Sequence, residues 1–240
     1  MKKEKKSPEE LGLANYTLAQ ELWNAISHGL GALFGLFALI ILLIKIVSGD
    51  HTEPLYALKI VSAVFYSSSI MICMSISCIY HSLAKNRGKK VLRTIDHAMI
   101  YLLVAGSYAP FCLVAMISKG ALLWNIPNTE WSGYLILGLC YICIILGATF
   151  ASINFKKYDA FSMVMYLVGG LMILVNPTGI YNALGFYGFL FLALGGVFYV
   201  IGSVLYGIGK HKSLWWHTVF HFFCLFGIVS MFISIYFFVY

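Results

Sequence analysis

Charge is what this sequence has least of. Only 10% of its residues are charged, against 61% hydrophobic, whereas a soluble domain carries about a quarter charged residues. That deficit excludes an ordinary soluble fold, and no polar stretch is long enough to fold alone. A polar basic domain is missing too. The net charge of +7 is therefore not read as a nucleic-acid surface, and no nucleic-acid partner is expected. No internal repeat is visible, which removes an inverted-repeat transporter from consideration. The six cysteines, Cys73, Cys78, Cys112, Cys140, Cys143 and Cys224, all fall inside apolar runs. Cys140 and Cys143 form a C-x-x-C pair without the βαβ context of a redox motif, so they are read as small packing hydrophobes. The first apolar run is not followed by a small-residue cleavage site, and a retained helix rather than a secretory leader is expected.

What is present is a series of long apolar runs, at about 24–47, 56–83, 95–118, 132–152, 160–175, 184–207 and 215–239. Several reach the roughly 20 residues that a helix needs to cross hydrocarbon. They are apolar on all sides, unlike the alternating strands of a membrane barrel. The expectation is an all-α membrane protein, a seven-transmembrane helix bundle over 21–240 preceded by a polar tail at 1–20. Pro110 lies inside the third run and should kink it, with Ser107 or Tyr108 near the freed carbonyl. Gly29, Gly31, Gly35, Gly195, Gly196 and Gly202 are expected to let helices approach closely.

Orientation follows from the basic residues. With the N-terminus cytoplasmic, Lys2, Lys3, Lys5, Lys6, Lys85, Arg87, Lys89, Lys90, Arg93, Lys156, Lys157, Lys210 and Lys212 all lie inside. Only Lys45, Lys59 and Lys119 lie outside. This bias favours a cytoplasmic N-terminus, an external C-terminus and an odd number of spans.

Polar groups within the spans carry the functional information, because each is costly in hydrocarbon. Ser77 and His81 lie near the end of the second run, Asp96 opens the third, and His217 and His221 open the seventh. The alternating topology brings all five to the cytoplasmic edge of the bilayer. Positions i and i+4 share a helix face, so His217 and His221 can aim at one point. His81 would complete a three-histidine set of the kind used for catalytic zinc, with a fourth position left for water. Asp96 could ligate, or hold that water and accept its proton. Ser77, one turn deeper than His81, could bind the water or a developing oxyanion, although a hydrogen bond within its own helix is the commoner fate of a serine. For Asp96 the rival readings are a salt bridge to Arg93 and charge compensation at a helix N-terminus.

Glu21, Asn24 and His28 share one face at the start of the first run. They are read as partners that orient the ligating rings. His97 points about 100° away from Asp96 and is placed beside the site rather than in it. His51 is read as a solvated loop residue near Asp50 and Glu53, and His211 as a juxtamembrane residue between Lys210 and Lys212. Trp23, Trp215 and Trp216 are expected at the membrane interface.

Four stretches, E-L-W-N-A-I-S-H-G (21–29), S-C-I-Y-H-S (77–82), D-H-A-M-I-Y-L-L-V-A-G-S-Y-A-P-F (96–111) and H-T-V-F-H (217–221), resemble the hemolysin III family of bacterial membrane proteins. That family is related to the progestin and adiponectin receptors and, more distantly, to the alkaline ceramidases. The resemblance spans about 17–239. It implies a seven-helix bundle in the bacterial plasma membrane with Zn2+ on its cytoplasmic side. By position, His81, His217 and His221 match the zinc ligands, Asp96 matches the aspartate that contacts the metal-bound water, and Ser77 matches the serine of the S-x-x-x-H motif. No long N-terminal domain of the adiponectin-receptor type is present, so a hormone-receptor role is not implied. The expected function is membrane lipid homeostasis through zinc-dependent hydrolysis of a lipid amide or ester, with membrane lipids as partners. The alternatives are a lipid or membrane-state sensor with structural zinc, and a cytolytic protein.

Overall fold

The computed structural model describes residues 13–209 and 212–240, without the side chains of Phe155, Lys156 and Asp159. The lysine-rich tail up to residue 12, Lys210 and His211 lie outside the described residues. Among the described residues every regular element is helical. The long helices are α1 (Leu18–Val47), α2 (Tyr56–Ser82), α3 (Arg87–Pro110), α4 (Ser132–Ile153), α5 (Phe155–Leu171), α6 (Pro177–Gly209) and α7 (Trp215–Ser234). Among the described residues six helices are long and apolar enough to cross a membrane, and Ala160–Val175 is a shorter apolar helix. Large apolar side chains such as Leu33, Phe37, Ile44, Ile145 and Phe226 are exposed on the outer faces. That is the arrangement expected where lipid, not water, is the solvent.

Four helices start earlier than their apolar runs, at 18, 87, 155 and 177 rather than 24, 95, 160 and 184. In each case a capping side chain sets the boundary. Thr17 forms a reciprocal capping box with Gln20, which satisfies two free amide donors. Asn86 and Asn154 accept from the backbone amides of Lys89 and Lys157. Asn176 accepts from the Gly179 amide at 3.1 Å, and Pro177 opens α6, the first helical position, where its missing N–H costs nothing. Glu21 and Lys89 therefore fall in the first turns of α1 and α3, and Asp96 lies well inside α3. Asp96 lies nine residues past the start of α3 and does not open it.

Two breaks shape the bundle. After Pro110 the chain passes through a π turn, Phe111–Ala115, before a last short turn at Met116–Ser118. This is the local widening that relieves a proline within a helix. Ser107 bonds back to the Leu103 carbonyl, and the Tyr108 hydroxyl donates to the Gly170 carbonyl. In α6, Gly185 has φ +68, a conformation costly for any residue with a Cβ. It separates a short first segment of the helix from the rest.

Chain ends meet in antiparallel fashion. Lys45 at the end of α1 bonds the Tyr236 carbonyl and lies over that ring, and Ser62 near the start of α2 meets the Tyr240 hydroxyl at 2.6 Å. The start of α1, the end of α2 and the starts of α3 and α7 gather at the opposite end. Helices α1 and α2, α2 and α3, and α6 and α7 pack along their lengths, whereas α5 leans on α4 and barely touches α6. Close approach uses Gly31, Gly35, Gly195 and Gly202, where an added Cβ would fall within 3.0 Å of a neighbour. Gly196 departs from that expectation, because nothing lies within 4 Å of its missing Cβ.

Candidate metal centre

The end of α2 and the first turns of α7 bring three imidazoles together. His217 Nε2 lies 3.2 Å from His81 Nε2 and 3.1 Å from His221 Nε2. All three rings are buried, and one ligand atom from each lies within 4.8 Å of the others. Zinc–nitrogen bonds of 2.0–2.1 Å in a tetrahedron place ligand atoms about 3.3 Å apart, so the two short separations suit a shared ion. The i, i+4 spacing on α7 positions His217 and His221, and the antiparallel fold carries His81 across to them.

The outer ring nitrogens show which inner ones are free to ligate. His81 Nδ1–H donates to Glu21 Oε2 at 2.7 Å, which leaves Nε2 with its lone pair facing inward. His221 Nδ1–H donates to the Asn24 carbonyl at 3.2 Å, with Ser27 Oγ alongside at 3.3 Å. Both outer partners come from α1. The inward lone pairs of His81 and His221 flank His217 Nε2, and a cation or a proton between them relieves their repulsion. The donor set and its spacing therefore fit a divalent metal such as zinc.

The polar residues of α1 converge on these rings. Besides holding His81, Glu21 accepts from Lys89 Nζ at 2.6 Å, and that ammonium also donates to the Leu83 carbonyl at 2.9 Å. Asn24 Oδ1 accepts from the Thr218 hydroxyl at 2.7 Å, and its amide nitrogen stands 3.4 Å from His81 Nδ1. His28 stacks flat on His221, with ring centroids 3.5 Å apart and planes within 7°. His97 instead turns its Nδ1–H onto the Arg93 carbonyl at 2.8 Å, beside the Asp96 carboxylate at 3.9 Å. Tyr16, just ahead of α1, places its ring 5.5 Å from His81 and 5.4 Å from His217. Burial pushes its hydroxyl well above the ordinary tyrosine range, so it stays a neutral donor.

Asp96 and Ser77 face the same cavity as His217, His221 and His28. Asp96 is outside the tight histidine group. Both nitrogens of His28 are buried with no hydrogen-bond partner, and the Ser77 hydroxyl lies against the Asp96 carboxylate. Beyond these groups the lining is mostly apolar, with the hydroxyls of Tyr166, Tyr199 and Ser203 among it. One wall is an i, i+3, i+4, i+7 stripe on α5, formed by Met163, Tyr166, Leu167 and Gly170. The facing wall is the matching stripe on α6, formed by Gly196, Tyr199, Val200 and Ser203.

Sequence reasoning missed Lys89, Ser27, Thr218 and Tyr16. Lys89 counts there only as a loop charge, yet it is 1% exposed. Its one legible signal is its place three residues past the capping Asn86, inside the first turn of α3. His51 is exposed, as expected, and its ring meets Tyr56 edge-on. Trp23 and Trp215 are about half exposed, as suits interfacial side chains.

Fold and site together define a helical integral membrane protein with a buried histidine triad at one end of its bundle. The chain belongs to the haemolysin-III related family, whose family model matches residues 16–232. It is 33% identical over 220 residues to a hemolysin-3 homolog of Bacillus subtilis (strain 168), covering 92% of this chain and 94% of that protein. It is 30% identical over 220 residues to hemolysin-3 of Bacillus cereus, covering 92% of each.

Proposed function

We propose that this protein is a seven-span zinc hydrolase of the bacterial plasma membrane that cleaves a lipid amide or ester at its cytoplasmic face. The supporting observation is one cavity with two chemistries. One part of its lining holds His217, His221, Asp96, Ser77 and the unpartnered His28, and the rest is mostly apolar. The shorter apolar helix Ala160–Val175 supplies the seventh span. The excess of Lys and Arg on one side of such a topology supports a cytoplasmic N-terminus, which puts the histidines at the inner leaflet.

Zinc held by three neutral imidazoles would act as a Lewis acid and lower the pKa of a water to about 7. His81, His217 and His221 would hold it through Nε2, with Glu21 and the Asn24 carbonyl fixing the ring planes. The Asp96 carboxylate takes the proton of the attacking water and returns it to the leaving amine or alcohol. Ser77 Oγ–H donates to the oxygen on which negative charge develops. The apolar walls from α5 and α6 seat the acyl chain and keep bulk water from the scissile bond. Lipid reaches the cavity sideways, where α5 and α6 barely touch.

The test is fatty-acid release from a broad panel of lipid amides and esters by purified, metal-replete protein. Asp96→Asn should keep its metal and lose turnover. Release of no fatty acid from any lipid by the wild type sinks the hydrolase. A sensor with structural zinc is the second reading. It is favoured by the way Glu21 and Asn24 tie α1 to α2, α3 and α7 around the histidines. A sensor would change conformation with lipid composition and release nothing. The printed name of the relatives suggests cytolysis, a reading that requires purified protein added from outside to lyse cells.

A further inference from the structure

We propose that Gly170 and Gly196 set the length of acyl chain that the cavity accepts. The inference rests on the reading of that cavity as an acyl chamber. Both glycines line it, and a Cβ built on either would meet no atom within 4 Å. They differ in this from the packing glycines on the same helix. At Gly195 an added Cβ would lie 2.6 Å from Met231, and at Gly202 it would lie 2.7 Å from Phe223. The packed face of α6 thus meets α7, while Gly196, on the stripe with Tyr199 and Val200, looks into empty space.

Position along the helices makes the pair a floor. α6 runs toward the histidine layer and reaches it at Tyr206, whose ring is 5.3 Å from His217. α5 runs away from that layer. Gly196 therefore lies about 15 Å below the reacting end, at 1.5 Å per residue, and Gly170 lies at a similar depth on the facing wall. Both have helical backbones without a positive φ, so any side chain fits there without strain. Side chains at these two positions would fill the far end of the cavity and leave His217, Asp96 and Ser77 untouched. The absence of a Cβ at both keeps that end open to the last carbons of a long chain.

Equilibrium binding of octanoic, lauric, palmitic and stearic acid to the purified full-length protein in lipid nanodiscs, read by displacement of a fluorescent fatty acid, tests the idea. The probes are single-chain acids, so binding is measured without turnover. Gly196→Leu and Gly170→Leu should each weaken palmitic and stearic acid by about tenfold or more, given the affinity carried by each buried methylene, and leave octanoic acid unchanged. Gly196→Ala should give a smaller shift in the same order. Val197→Leu, on the outer face of α6, should change nothing. Equal loss for short and long acids, or no loss at all, overturns the gauge while leaving the acyl chamber standing. A wild type that binds no acid of any length removes both. Fatty-acid release, assayed separately, reports on hydrolysis alone.

Discussion

The two ends of the bundle hold buried polar clusters of similar size, and they differ in how completely they are satisfied. At the end away from the histidines, Asn176 is fully buried, and each of its side-chain atoms is used. Its amide donates to the Leu122 carbonyl and to Ser132, and its oxygen accepts from the amides of Gly179 and Trp124. Ser62 and Tyr240 close on each other in the same region. At the histidine end, by contrast, both His28 nitrogens and His217 Nδ1 have no partner. An unmade hydrogen bond in a buried place costs about 1–3 kcal/mol. A saturated cluster serves the fold, whereas an unsaturated one that faces a cavity has groups left over for a ligand.

Substitutions at four positions can break or sharpen that contrast. The largest effect belongs to His81→Ala, which removes one inner ligand. Metal measured on purified protein should fall to background, a greater loss than the roughly 10- to 100-fold that goes with an outer partner. Metal retained at the wild-type level would end the three-histidine site. Asn176→Ala comes next. It strands several buried donors and acceptors, so thermal unfolding should show a loss of about 2–4 kcal/mol, with metal content per folded molecule unchanged. If that variant lost metal, the two ends would not be separable in the way drawn above.

Lys89→Met removes the ammonium that holds Glu21 on His81. Leaving one charge of a buried pair alone costs about 3–5 kcal/mol when the pair is fully enclosed, and Glu21 keeps some solvent contact, which lowers that figure. Metal titration should show affinity weakened by roughly 10- to 100-fold. Lys89→Arg, which keeps the charge, should recover part of it. The smallest effect on stability is expected of Ser77→Ala. At most its contact with the Asp96 carboxylate is lost there, so unfolding should move by about 1 kcal/mol. If the hydroxyl faces a developing oxyanion, turnover of a lipid amide should still drop by about 10²–10³. A Ser77→Ala protein as active as the wild type would return Ser77 to a packing role.

Much of the architecture was legible because lipid imposes a simple rule. Apolar runs long enough to span can only be helices or barrels, and these runs do not alternate. The starts of α1, α3, α5 and α6 were not legible from hydropathy. Their first turns are polar and lie beyond the apolar stretch, and the true signals are the small capping residues Thr17, Asn86, Asn154 and Asn176. The meeting of His81 with His217 and His221 could be foreseen from i, i+4 spacing and from the alternation of the spans. Lys89 could not. A lysine in a basic connection reads as an orientation signal, and only the fold shows Glu21 waiting for it across 68 positions. Thr218 and Ser27 were equally silent, since a lone hydroxyl in a helix is ordinarily satisfied by its own backbone.

The ammonium of Lys89 reaches the Leu83 carbonyl and Glu21 at once, and Glu21 in turn grips His81. The beginnings of α1 and α3 and the finish of α2 are thereby riveted through a single point. Prying any two of them apart would strip a cation of both its neighbours together, in surroundings with little water to replace them. That corner of the bundle moves as a block or not at all. Whatever flexing admits a guest molecule is left to α5, which rests chiefly on α4.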